Sequence, residues 1–267
     1  MNSPLGIAIF LCDITGKMAR PWLDAGYDVI LVDPQHPKGV TIEVRPNGAS
    51  VTKVGHIIDH PVTWGVLRVA IMSGMVCFVM GFPPCTDVAV SGALHFEAKR
   101  LKDPHFQTKA ALVAEQCRVI GLLAGCRWAF ENPVSVFGSI FGKAQHSFHP
   151  WWFTDVWVAD NYTKNTQLWT SEDFVMPATA VHPKVAEAVA FVKSVCGKFV
   201  PKPKALLATD NDPLVVHWYP DDRIHKCGPG DDRANFRSAT PMGFSLANFE
   251  ANRPDRQPAQ LSLLAVA

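Results

Sequence analysis

A chain of 267 residues, 48% of them hydrophobic, can bury one large core or one domain with a modest appendage. Its 25 basic and 24 acidic side chains leave a net charge of +1, which excludes a global field for nucleic acid and confines any such contact to local basic patches. No apolar run approaches the ~20 residues of a membrane span, and the run from Leu5 to Cys12 lacks the basic leader and cleavage site of a signal peptide, so a soluble intracellular protein is expected.

In chain order, Ile7 to Leu11 is a continuous apolar run, as expected of a strand covered on both faces. It breaks at Cys12-Asp13-Ile14-Thr15-Gly16, and a helix is predicted over about 18–25 with Gly26 as its C-terminal cap. The run Val29 to Val32 then ends at Asp33-Pro34, completing a βαβ unit with an acid at the tip of its second strand. In open parallel sheets such an acid accepts hydrogen bonds from ribose hydroxyls, while the first βα turn approaches the ligand. Only Gly16 is available in that turn, so a plain structural βαβ unit is an equally open reading. Residues 35–50 read as a long polar connection with a strand at 40–44, followed by another at 51–54. His56 or Asp59 could reach a ligand at that strand end, or simply serve the turn.

The apolar run Val76 to Met80 feeds into Gly81-Phe82-Pro83-Pro84-Cys85, where two prolines hold the backbone extended and place one thiol at the mouth of a loop. Residues 86–92 read as loop. A long amphipathic helix is predicted over 106–123, with Val113, Cys117, Ile120 and Ala124 on one face and Gly125 after it. The next strand, from Arg127, delivers Glu131-Asn132-Pro133. Residues 137–143 read as a short turn or helix, Val156 to Val158 as a strand, and Lys164 to Trp169 as another. A helix follows over 183–195, then an irregular stretch with a strand at 214–218, and a final helix over 242–251. No signal marks the tail after Pro254.

Two consecutive strands thus present a cysteine and a glutamate at one sheet edge. Cysteine is nucleophilic only as thiolate, and a glutamate able to hold its proton can donate to an electrophile. No histidine sits at a convincing motif, which argues against a cysteine hydrolase. The seven cysteines (12, 77, 85, 117, 126, 196 and 227) show no Cys-x-x-Cys spacing, so neither a disulfide framework nor a bound metal is expected.

Gly81-Phe82-Pro83-Pro84-Cys85 resembles the nucleophile loop of the cytosine carbon-5 DNA methyltransferases, and Glu131-Asn132-Pro133-Val134 resembles their Glu-Asn motif. Asp13-Ile14-Thr15-Gly16, Met18 to Trp22, Asp33 with Gln35-His36, and the closing Arg237 to Pro241 with Gly243-Phe244 extend the likeness to small methyltransferase-like proteins of bacteriophages, over nearly the whole chain. The resemblance implies an α/β, Rossmann-like fold with a largely parallel sheet and a reduced C-terminal substrate region. It also implies S-adenosyl-L-methionine as cofactor and location in the cytoplasm, that of the host if phage-encoded. By the same resemblance Cys85 attacks carbon 6 of cytosine, Glu131 holds ring nitrogen 3 and the exocyclic amine, and Asn132 positions that pair. Asp13, Thr15, Gly16, Asp33, Asp59 and Pro83 would line the cofactor, and Pro84, Lys164 and Thr166 the substrate.

The chain departs from the family most in size. It divides into a catalytic, cofactor-binding domain over 1–169, a small substrate region over 170–236, and a returning segment over 237–267. The middle region is too small for many base-edge contacts, so weak sequence specificity is expected. Duplex DNA, single-stranded DNA and a free cytidine nucleotide all remain open as partners. Lys193, Lys198, Lys202 and Lys204 could form a phosphate-contacting patch or a solvated face. Two other functions stay open: a pyrimidine-nucleotide-modifying enzyme on the same scaffold, and a non-catalytic nucleic-acid-binding relative.

Overall fold

The computed structural model describes residues 5–200, 212–226 and 238–254. Strand β1 (Ile7–Leu11) is followed by a turn and the short helix α1 (Arg20–Asp24), with Pro21 in its first turn where no N–H is needed. The predicted helix over 18–25 is thus shorter at both ends, and Gly26 follows it at φ 99°. Strand β2 (Asp28–Val32) lies parallel to β1. The predicted strands at 40–44 and 51–54 form an antiparallel hairpin, β3 (Val40–Val44) and β4 (Ser50–Val54), with β4 parallel to β2.

Helix α2 (Pro61–Met72) has no counterpart in the sequence reading. Its signal is the N-terminus: His60 Nδ1 accepts from Val62 N at 3.2 Å, and Pro61 opens the first turn. Strand β5 (Val76–Gly81) delivers the Pro-Pro-Cys loop. The predicted loop over 86–92 runs into a 3₁₀ turn, Val90–His95, and helix α3 (Phe96–Lys102). Helix α4 (Phe106–Ala124) ends at Gly125, whose φ of 62° suits glycine. Then come β6 (Arg127–Pro133), the single-turn α5 (Phe137–Ile140), β7 (His146–Phe148) and β8 (Thr166–Thr170). Residues 156–158 are not a strand: an exposed Trp157 precedes a 3₁₀ turn over Val158–Asp160. Helix α6 (Pro183–Cys196) ends at Gly197 as expected. The predicted strand at 214–218 is instead α7 (Pro213–Trp218), because Asp212 caps it through Leu214 N at 2.8 Å and Pro213 starts it. Helices α8 (Arg223–Lys226) and α9 (Met242–Asn252) complete the described chain. The tail after Pro254 lies outside the described residues, as do Arg237, Lys202 and Lys204.

All eight strands join one sheet in the order β3-β4-β2-β1-β5-β6-β8-β7. From β4 to β6 the strands run parallel; β3, and β8 against β6, run antiparallel. This is an α/β architecture with a mostly parallel mixed sheet, compatible with a Rossmann-like fold. Counting only β1, β2, β4, β5 and β6, the order is 3-2-1-4-5. It reverses between β1 and β5, so a crevice opens beyond their carboxyl ends. Leu11 pairs with both Val32 and Gly81, and Gly81 with Phe130. The turn after β1, the acid after β2, the loop after β5 and Glu131 therefore emerge side by side.

Each face of the sheet has its own core. On one, Phe10, Phe78 and Leu168 pack under α1 and α9; on the other, Val79, Phe130 and Trp169 pack under α2 and α4. Gly81 is required by the second face: a Cβ there would sit 2.4 Å from Cys117 Sγ on α4. The first face centres on Trp22, fully buried, stacked on Phe78 at 4.9 Å and edge-on to Tyr27 and Phe249 at 5.1 Å each. Trp22→Ala is expected to cost about 3–5 kcal/mol, read as a lowered midpoint in urea unfolding. A loss under about 1 kcal/mol would mean that Phe78 and Phe249 collapse into the gap. A third, small core of Val185, Val189, Val192, Val215 and Tyr219 joins α6 to α7. This unit is tied to the body by Asn161 Nδ2 donating to Trp218 O at 2.9 Å and Thr163 N to Asp221 O at 2.8 Å. No helix among the described residues is long and apolar enough to cross a membrane.

Candidate active site

The turn after β1 begins with backbone strain. Cys12 takes φ 58°, a conformation seldom adopted by a residue with a side chain, and is held by its N–H donating to Val32 O at 2.7 Å. Asp13 follows, buried. Its Oδ1 accepts from Thr15 N, Thr15 Oγ1 and Gly16 N at 3.0, 2.9 and 2.8 Å. These three donors lower the Asp13 pKa, but burial outweighs them and leaves it raised, with Asp33 adding a like charge. Asp13 Oδ2 is buried with no hydrogen-bond partner. The Asp13 carbonyl accepts from buried His36 at 3.1 Å, so Nε2 of that ring carries a proton. Asp33, also buried, accepts from Gln35 N at 2.8 Å.

Side-chain alternation decides which way the next two strand ends face. Phe78, Met80 and Phe82 alternate onto the α1/α9 face of the sheet, and Ala129 and Glu131 do the same on β6. Glu131 thereby enters a small pocket with Met80, Phe82, Phe148, Lys164 and Thr166, closed by Thr240 and Pro241 just before α9. Glu131 is 9% exposed, and its Oε2 has no hydrogen-bond partner. Burial raises its pKa, and the nearby Lys164 ammonium only partly opposes this. Thr166 Oγ1 is likewise buried without a partner. Two unsatisfied polar atoms in one pocket are what a site prepared for a polar ligand leaves open.

Asn132, one residue on, points the other way and works on the backbone. Its Nδ2 donates to Pro83 O at 2.9 Å, tying the end of β6 to the loop that carries Cys85. Downstream the same two segments are clamped again, by Val90 N to Val134 O and Val136 N to Val88 O, both at 3.0 Å. Cys85 is half-buried within this clamp, and its carbonyl accepts from Val88 N and Ala89 N at 3.1 and 2.9 Å. Lys99 on α3 adds a third tie, donating to Thr86 O at 2.8 Å and Asp87 at 2.6 Å. Pro83 is buried and Pro84 exposed.

The structure thus gathers Asp13, Thr15, Gly16 and Asp33 at one end of the crevice. Pro83, Pro84 and Cys85 follow β5, and Glu131 and Asn132 end the neighbouring β6, with Asn132 bonded to Pro83 and with Lys164 and Thr166 lining the Glu131 pocket. Asp59 is exposed in the turn after β4. Among the described residues no cluster of three or more potential ligands could hold a metal ion. The sequence reading misses Asp160, whose Oδ2 accepts from Gly243 N at 2.7 Å and so fixes the start of α9, including Thr240 and Pro241, over the pocket. It also misses Tyr162, buried, with its pKa raised by burial and by neighbouring acids that include Glu131. Neither residue lies in a local motif. Comparison of the sequence with protein-family models and with curated proteins returns no match, so the chemistry must be argued from this geometry.

Proposed function

We propose that the chain is an S-adenosyl-L-methionine-dependent methyltransferase acting at carbon 5 of cytosine through a covalent adduct with Cys85. The observation that carries this reading is that the Cys85 loop and the buried Glu131 end neighbouring parallel strands, with Asn132 tying that loop to the end of β6. The cofactor is supported by the turn after β1. Asp13 Oδ2 is a buried acceptor without a donor, and Asp33 is a second buried carboxylate at the tip of β2, the strand beside β1. Both suit a ligand bearing ammonium and hydroxyl donors. Asp13 would take the amino-acid end and Asp33 the ribose, with Gly16 allowing close approach. When bound, the cofactor supplies an electrophilic methyl group.

The chain's own residues supply the rest. Carbon 5 of cytosine is a poor nucleophile until its neighbour is attacked. Cys85 Sγ, as thiolate, bonds to carbon 6, and the ring electrons move toward nitrogen 3, where the Glu131 carboxyl donates its proton. Carbon 5 becomes an enamine carbon able to take the methyl group. Loss of the carbon-5 proton to water re-forms the double bond between carbons 5 and 6 and expels Cys85 as thiolate, and nitrogen 3 returns its proton to the Glu131 carboxylate. Lys164, just before β8, and Thr166, at its start, would face the ring, and Asn132 ties the Cys85 loop to the strand of Glu131. Because the α6/α7 unit is small, recognition of a long base sequence is not expected.

Radiolabelled cofactor incubated in parallel with duplex DNA, single-stranded DNA and dCMP tests the reading. Label at carbon 5 of cytosine is expected, spread over many sequence contexts when DNA is the acceptor. Absence of label in all three, together with no calorimetric binding of S-adenosyl-L-methionine at millimolar concentration, would remove the proposal. The electrostatics give a further expectation. Lys164 favours the charged form of Glu131, so Lys164→Met should move the alkaline fall in rate to higher pH. An unmoved limb would mean that Glu131 is not the group that titrates there.

A further inference from the structure

The outer edge of the sheet is formed by β3, and among the described residues no strand lies beyond it. Its sequence, Val-Thr-Ile-Glu-Val, carries no proline and no lysine, the usual protections of an edge strand. Val40, Ile42 and Val44 are 41%, 65% and 72% exposed and share one face of the strand.

Pairing with β4 decides where the backbone groups point. Gly55 N donates to Gly39 O at 2.9 Å and Arg45 N to Ala49 O at 2.7 Å, while Thr41 sits opposite Lys53 and Glu43 opposite Val51. Hydrogen-bonded pairs alternate along an antiparallel ladder. The odd-numbered residues therefore direct their N–H and C=O groups to β4, and Val40, Ile42 and Val44 direct theirs outward. The residues with outward backbone groups are the same three that carry the apolar stripe.

We propose that β3 pairs antiparallel with β3 of a second copy of this chain, about a two-fold axis at Ile42, to form a homodimer with one continuous sheet. Centred there, Ile42 faces Ile42 of the second copy and Val40 faces its Val44, so every outward N–H meets an outward C=O. Both apolar stripes fall on the same side of the joined sheet. Charges agree as well: Glu43 faces Thr41 and Arg45 faces Gly39, so no like charges meet. Glu43 is already neutralised by its own Lys53 at 2.7 Å. An interface of this self-complementary kind closes on itself and stops at two copies.

A five-residue edge lies at the small end of specific interfaces, so a dissociation constant on the order of 10 μM is expected. Sedimentation velocity from about 1 to 200 μM should show the wild-type chain passing from monomer to dimer across that value. The double variant Val40→Lys/Val44→Lys places two lysines opposite each other at each end and should weaken dimerisation at least ~50-fold. The variant Val40→Lys/Val44→Glu sets opposite charges face to face in the same register and should restore the dimer. Both replaced side chains, Val40 and Val44, are solvent-exposed, so circular dichroism of both variants should match wild type. A wild-type chain that stays monomeric up to ~200 μM, a dimer indifferent to the double lysine variant, or a lysine/glutamate variant that remains monomeric would each overturn the proposal.

Discussion

Replacing Cys85 by serine is expected to lower methyl transfer by at least ~10³-fold while leaving the fold and cofactor affinity intact. The physical reason lies in the nucleophile. A cysteine thiol near its usual pKa of ~8.5 is a few per cent thiolate at neutral pH, whereas a serine hydroxyl is not ionised at all in that range. Cys85 is only half-buried, and among the described residues its loop is tied through its backbone carbonyl, through Pro83 O and through Thr86 O. The substitution therefore leaves these hydrogen bonds in place, and circular dichroism of the variant should match wild type. Mass spectrometry gives an independent readout. A cytosine bearing fluorine at carbon 5 cannot lose a proton there, so wild-type protein should be trapped as an adduct that the serine variant never forms. Wild-type rates from the serine variant would show that the methyl group moves without covalent attack.

Glu131→Gln should be equally damaging to catalysis, by about 10³-fold, yet it should make the protein more stable in alkaline solution. Burial raises the pKa of Glu131, so the folded chain holds this proton to higher pH than the unfolded chain does. The contribution of the acid to stability is complete below its unfolded pKa of ~4.3 and is lost as pH rises through the folded value. Glutamine has no such loss. The advantage of the variant should therefore be absent near pH 4 and grow with pH. At pH 8 the variant should melt at a higher temperature than wild type. Equal melting curves for the two proteins at pH 8 would mean that the site tolerates the charge, and Glu131 could not then serve as the proton donor. The combination of lost activity and gained stability separates a functional acid from a structural one, because removal of a structural carboxylate lowers both.

How far the sequence reaches can be seen at Glu131 itself. That a strand delivers it, and that Pro133 ends the strand, follows from the local run of apolar residues and a proline. The same local logic places β1, β2 and β5 from continuous apolar runs, and α4, α6 and α9 from apolar residues at helical spacing, with Gly125 and Gly197 ending α4 and α6. It fails where the signal is short or polar. Helix α2 rests on a histidine cap, and α7 reads as a strand because Leu214, Val215 and Val216 favour one, until Asp212 and Pro213 initiate a helix.

From the sequence alone come the set of chemical groups and their order along the chain: a thiol at one strand end, a carboxyl at the next, and acids at two earlier turns. Only the tertiary structure decides that Glu131 turns onto the α1/α9 face and is sealed from water by Phe82, Phe148 and Pro241. The same holds for Asp160, which reaches across 83 residues to fix α9. A side chain's burial and pKa depend on neighbours far away in the chain, and no local spacing encodes them.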